Sequence, residues 1–145
     1  MAREKINSQT IVKGEIVLCA DTTVAVGRRI LGKPQDREQA KDFLNLLSGK
    51  RHTVITCVTL SDRVNIWERE VISKVKFKSL SAKEIKNYLS TDEWRGKAGG
   101  YAIQGMAAAF IPWIRGSFSA IVGLPLMETY LILSAAGYDP MRSKT

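Results

Sequence analysis

Two long strand-like runs, His52–Leu60 and Val64–Phe77, meet at Ser61-Asp62-Arg63 and constrain this chain more than any other feature. They commit the middle of the sequence to a sheet. The second run alternates cleanly near its end, with Val71, Ser73, Val75 and Phe77 on one side and Lys74, Lys76 and Lys78 on the other. Upstream, the apolar run EIVLCA (residues 15–20), bounded by Gly14 and Asp21-Thr22, predicts a short buried strand that ends at Asp21. Residues 109–114 and 119–122 are also strand-like.

Helix signals stand between these runs. Residues 1–9 read as the last turns of a helix. Asp36 and Gln39 make a capping-box pattern, followed by an apolar face of Ala40, Phe43, Leu44 and Leu47 and a stop at Ser48-Gly49. Ser81 and Glu84 repeat the pattern, with Ile85, Tyr88 and Leu89 facing inward. Pro125 opens a final helix that stops at Gly137. No repeat, low-complexity tract or linker divides the chain, so residues 1–145 read as a single mixed α/β or α+β domain.

Charge and cysteine usage narrow the function. Of the 145 residues, 22 are Lys or Arg and 14 are Asp or Glu, a net charge of +8 that favours an anionic partner. Cys19 and Cys57 lie in separate apolar runs without a C-x-x-C, and read as reduced core residues. His52 is the sole histidine, which excludes a zinc cluster of histidines and cysteines within one chain. The start, MAREKINSQT, lacks the apolar stretch of a signal peptide. Gln104 and Pro112 interrupt the apolar neighbourhood of residues 107–114 well short of a membrane span. A cytoplasmic protein with no membrane partner is expected.

The stretch GRRILGKP (residues 27–34) carries the G-x-x-x-x-G-K of a P-loop through Gly27, Gly32 and Lys33. Pro34 then stands where a hydroxyl should hold Mg²⁺, and it turns Lys33 away from helical backbone. A small hairpin around Gly27-Arg28-Arg29 and a stiff turn at Lys33 are expected instead.

Few residues carry candidate chemistry. Asp21 at a strand end is either a ligand-binding carboxylate, with Thr22 and Thr23 beside it, or the start of an Asx-turn. Lys33 reads as a solvated surface lysine or as a point charge for a phosphate. Lys97 lies among Gly96, Ala98, Gly99 and Gly100, where backbone amides either cradle an anion or form a flexible loop. Gln104 offers a donor and an acceptor together, suited to a uracil or thymine edge or to backbone. The Lys74/Lys76/Lys78 row reads as a solvated face or a track for a phosphate backbone. Trp67, Trp94 and Trp113 show no stacking spacing.

In order, ADTTVAV…ILGKP, LSGKRHTVITCV, LSAKEIKNYL, GKAGGYAIQG and SAIVGLPLMET resemble the Maf-like nucleotide pyrophosphatases along nearly the whole chain. That resemblance implies a central mixed sheet with flanking helices. It also implies cytoplasmic hydrolysis of a nucleoside triphosphate to the monophosphate and pyrophosphate, with a divalent cation, Mg²⁺ or Mn²⁺. The AIQG segment looks like the branch acting on dTTP and UTP. By position, Asp21 matches the family's proton acceptor and serves as metal ligand, base or both. Thr22 and Gln104 match substrate-selecting positions. Lys33 and Lys97 match basic positions near the phosphates, and Lys5 matches a lysine of the preceding helix. The family's opening strand and S-x-S-P-R-R turn have no counterpart, since Met1 aligns inside the helix that holds Lys5. The resemblance thus leads to an unpaired edge at residues 16–20, an open cleft beside Asp21, low stability or self-association such as a homodimer, and reduced activity. A non-catalytic protein that binds nucleotide or a septum-formation partner is the alternative. Nucleic acid is not expected as a partner.

Overall fold

The computed structural model describes residues 2–7 and 14–142. Val17–Val26 (β1), Arg29–Leu31 (β2), Arg51–Ser61 (β3), Ile66–Lys76 (β4) and Trp113–Arg115 (β5) form one sheet in the order β2-β1-β3-β4-β5. The long runs in the middle of the sequence are the β3–β4 hairpin at its centre, and β-branched residues recur along both. Asp62 closes the turn, its Oδ1 accepting from the amides of Val64 (3.0 Å) and Asn65 (2.7 Å). β1 and β2 form the small hairpin expected at Gly27-Arg28, with Val26 opposite Arg29. The mixed α/β architecture is as expected. The sheet itself, expected to be mixed, is antiparallel in every pairing among the described residues.

Both faces of the sheet are used. Ala2–Asn7 (α1) lies against β1 and β3, burying Ala2 and Ile6 one helical turn apart. Met1 and residues 8 and 9 of the expected helix lie outside the described residues. Arg37–Leu47 (α2) and Ala82–Leu89 (α3) cover the other face with the predicted residues. Asp36 Oδ1 accepts from the Gln39 amide at 2.8 Å, while Gln39 Oε1 reaches the amide of Gln35. Ser81 and Glu84 form a complete capping box. Phe77, at the end of the alternating run, is fully buried beside Leu44 and Leu47. Each such burial stabilises by about 1.5–3 kcal/mol. A smaller apolar cluster joins Val58, Leu60 and Ile132, the last from Leu126–Ala135 (α5), which Pro125 opens as expected.

Two strand expectations are corrected. Residues 106–110 form a 3₁₀ turn, and β5 overlaps the expected strand only at Trp113 and Ile114. Alanine is a poor strand former and Pro112 cannot donate to a ladder, so the apolar run does not extend. Residues 118–122 are helical (α4, Phe118–Val122). Ser117 Oγ caps the Ala120 amide at 3.1 Å, and Gly123 at φ +137° ends the helix. That local chemistry overrides the strand propensity of Ile121-Val122.

Two contacts fix the loops above the sheet. The Gly99 amide donates to the Gly32 carbonyl at 3.0 Å, joining the loop that carries Lys97 to the turn that carries Lys33. Gly99 has φ +73°, and a Cβ there would stand 3.0–3.2 Å from the Val24 side chain. Below, His52 packs edge-on against Phe77 and Tyr101, its Nε2 2.6 Å from the Tyr101 hydroxyl. Cys19 and Cys57 are free thiols.

Two predictions follow from this packing. Gly99→Ala combines backbone strain with overpacking and should cost about 1–3 kcal/mol, read as a lower urea midpoint at unchanged slope. Burial depresses the His52 imidazole from 6.5 to about 4, so between those values the unfolded chain binds a proton that the folded chain refuses. The stability this group contributes is complete above its unfolded value and is lost as pH falls toward the folded one, by about 3 kcal/mol in all. His52→Phe should flatten that part of the urea-midpoint profile between pH 7 and 4.

Candidate active site

β1 has strands on both sides only from Val24 onward. Along Val17–Thr23, its side away from β3 has no strand partner among the described residues. A cavity of about 240 Å³ opens there. Ala20, Asp21, Thr22 and Val24 of β1 line it, with Val54 of β3, Lys33, the loop residues Gly96, Lys97 and Ala98, then Tyr101, Ala102, Gln104 and two residues of α4.

Asp21 does not end its strand. Thr22, Thr23 and Val24 are strand formers, and pairing with β3 carries β1 past the carboxylate to Val26. The rule that ligands gather at the carboxyl ends of strands does not apply to this antiparallel sheet; the free side of β1 makes the opening instead. EIVLCA is accordingly only half-buried, with Leu18 38% exposed.

Lys5, on the outer side of α1 between the buried Ala2 and Ile6, reaches the same edge. Its Nζ lies 3.0 Å from Asp21 Oδ1 and 2.9 Å from the Ala20 carbonyl oxygen. Among the described residues, Asp21 Oδ2 has no hydrogen-bond partner and Asp21 is the only acidic residue lining the cavity. Lys33 and Lys97 are exposed at its rim, and neither forms an ion pair with a described residue. No group of three acidic, histidine or cysteine side chains gathers to cage a metal among the described residues. One carboxylate with an oxygen that no described residue engages still fits Mg²⁺ or Mn²⁺ that is carried mainly by substrate phosphates and water.

Gln104 occupies an exposed turn. The turn is held by the Gly105 amide on the Ala102 carbonyl (3.0 Å) and by Glu93 Oε2, which accepts from the Met106 amide (3.0 Å). Thr22 points to the cavity from β1, its Oγ1 3.1 Å from Thr56 Oγ1. Thr56 in turn donates to the Ala120 carbonyl at 2.6 Å. Sequence reasoning missed Thr56 and Tyr101. A signal for Thr56 existed, since it interrupts the apolar alternation of Val54 and Val58 with a hydroxyl.

Other candidates fall elsewhere. His52 is buried behind Tyr101 and does not line the cavity. The lysine row is engaged locally: Lys76 donates to the Gly49 carbonyl at 2.9 Å, and Lys78 pairs with Glu84 at 2.7 Å, which holds that carboxylate down at about 2. A larger groove of about 400 Å³ between α2 and α3 collects Arg37, Glu38, Lys41 and Lys86 but none of Asp21, Thr22, Lys33, Lys97 and Gln104. No helix among the described residues is long and apolar enough to cross a membrane.

Residues 1–136 match the family model described as Maf-like protein. The dTTP/UTP pyrophosphatase of Roseobacter denitrificans is 58% identical over 138 residues, which cover 95% of this chain and 73% of the relative. That of Cereibacter sphaeroides is 58% identical over 143 residues, covering 99% and 74%. The nucleoside triphosphate pyrophosphatase of Anaplasma marginale is 50% identical over 144 residues, covering 98% and 72%. With a family match along nearly its whole length and this cavity at its sheet edge, the chain belongs to the Maf-like family.

Proposed function

We propose that the protein is a nucleoside triphosphate pyrophosphatase, a hydrolase that converts dTTP and UTP to the monophosphate and pyrophosphate. The observation that carries this reading is the gathering of Asp21, Thr22, Lys33, Lys97 and Gln104 around one cavity, with Lys5 on the Asp21 carboxylate. The names of relatives 56–58% identical to the chain support the substrate pair.

The chemistry follows from the residue types. Water attacks the α-phosphorus, forming a phosphorus–oxygen bond as the bond to the β-phosphate oxygen breaks. Asp21 accepts the proton that the water gives up, and the displaced group leaves as pyrophosphate. Lys33 and Lys97, fixed to one another through Gly99 and Gly32, offset the charge on the phosphates and on that leaving group. Lys5 holds one carboxylate oxygen and leaves the other for the reaction. Asp21 and the substrate's own phosphates would hold Mg²⁺ or Mn²⁺, which supplies further charge neutralisation when bound. Thr22 and Gln104 face the nucleoside and select the base. This reading places the protein in the cytoplasm with its substrates. A second copy of the chain is a further partner, since the side of β1 away from β3 has no strand partner among the described residues along Val17–Thr23 and invites pairing.

The Lys5–Asp21 ion pair favours a second reading. A carboxylate engaged by an ammonium at 3.0 Å holds the site together instead of acting on water, as in a protein that holds nucleotide for a cell-division partner.

One assay separates them. With Mg²⁺, the protein should release pyrophosphate from dTTP and UTP and not from GTP. Nucleotide binding with no pyrophosphate would support the second reading, and release from GTP alone would overturn the substrate pair. Asp21→Asn should lower kcat by about 100- to 10,000-fold while Kd for dTTP changes little. Undiminished turnover in that variant would remove Asp21 from the mechanism.

A further inference from the structure

Thr56 is a fully buried hydroxyl at the centre of β3 that does not line the cavity itself but lies within hydrogen-bond distance of Thr22, which does. Its position fixes the direction of a proton. Thr56 Oγ1 lies 2.6 Å from the Ala120 carbonyl oxygen and 3.1 Å from Thr22 Oγ1. A carbonyl only accepts, and a threonine hydroxyl has one proton to donate. The Thr56 proton is therefore committed to Ala120, and the bond between the two hydroxyls must be made by the proton of Thr22. Thr22 Oγ1 then presents only acceptor capacity to the cavity.

The acceptor at the end of this relay is itself held still. Ser117 Oγ accepts from the Ala120 amide at 3.1 Å, and Ser119 Oγ accepts from the Leu126 amide at 3.0 Å. The cross-strand register sets Thr22 directly opposite Thr56. An unrestrained threonine would turn its hydroxyl to suit either a donor or an acceptor. This one is denied that choice.

We propose that Thr56 is a positioning residue for base selection: it holds Thr22 as a pure acceptor, which takes the N3–H of a uracil or thymine ring. The proposal rests on the proposed function and deepens it. Cytosine carries a lone pair at N3, so it meets Thr22 acceptor to acceptor. Gln104 does not discriminate alone, because a primary amide can present either its oxygen or its NH₂. A site built to receive one hydrogen-bond donor rejects the analogue lacking it more strongly than an adaptable site does.

The test uses α,β-methylene analogues, so that it reads binding and needs no turnover. Calorimetry on the wild-type protein should give a lower Kd for the dTTP analogue than for the dCTP analogue. The N3-methyl form of the dTTP analogue should bind no better than the dCTP analogue. Thr56→Val frees the Thr22 hydroxyl, and should narrow the ratio of the two Kd values by about tenfold. Thr56→Ser should keep the wild-type ratio. A merely structural Thr56 would weaken both analogues by one common factor, and that result overturns the proposal. So does tight binding of the N3-methyl analogue, which requires no variant to fold. Equal wild-type affinity for the two unmethylated analogues also overturns it, while pyrophosphate release tests the hydrolase reading separately.

Discussion

The antiparallel pairing of β1 with β3, from Val17 opposite Ser61 to Ala25 opposite Thr53, sets where the groups of the cavity lie. It carries β1 straight through Asp21, so the carboxylate stands inside a strand instead of in a loop. It also sets Thr22 opposite Thr56 and Val24 opposite Val54; Thr22, Val24 and Val54 form the floor of the cavity, with Thr56 buried beside Thr22. The same pairing leaves the other side of β1 to be met by α1, whose Lys5 reaches both the Ala20 carbonyl and Asp21. A slip of one residue in this register would turn Asp21 and Thr22 to opposite faces from those they now occupy. The buried Val54, Val58 and Leu60 of β3 make that slip costly.

Above this floor, charge is positioned by backbone. Lysine side chains are flexible and lose rotamer freedom when held, so their placement depends on where the chain carries their Cα atoms. The hydrogen bond between Gly99 and Gly32, with Val24 packed beneath Gly99, brings two loops far apart in sequence to one rim. Tyr88 anchors the next residue, its hydroxyl donating to the Gly100 carbonyl at 3.0 Å. Lys33 and Lys97 thus face the cavity from the same rim without neutralising partners among the described residues. An anionic ligand is the natural complement of such an arrangement.

Much of this was legible in the sequence because local chemistry and tertiary structure agree. The two capping patterns at Asp36 and Ser81 begin helices, and the alternation from Val71 to Phe77 buries the predicted side. Gly27-Arg28 is the turn of a hairpin, and no helix begins at Lys33, as Pro34 requires; α2 starts only at Arg37. The failures have physical causes. Asp21-Thr22 was read as a terminator, although β-branched residues follow it and β3 supplies partners for them. SAIVG has strand propensity, yet the Ser117 cap and the packing of α4 on β3 make it helical. The residues around the cavity were named by motif and by resemblance, whereas Thr56 emerges only from the distance between two strands and a helix. A threonine within a strand looks like a strand former until the carbonyl above it is known.

The cavity directs water onto the α-phosphorus of a pyrimidine nucleoside triphosphate, and hydrolysis of dTTP in water labelled with the heavy oxygen isotope, followed by mass spectrometry of both products, reads that step. A single labelled oxygen should appear in dTMP and none in pyrophosphate. Label in the pyrophosphate, or release of orthophosphate and dTDP, would contradict it.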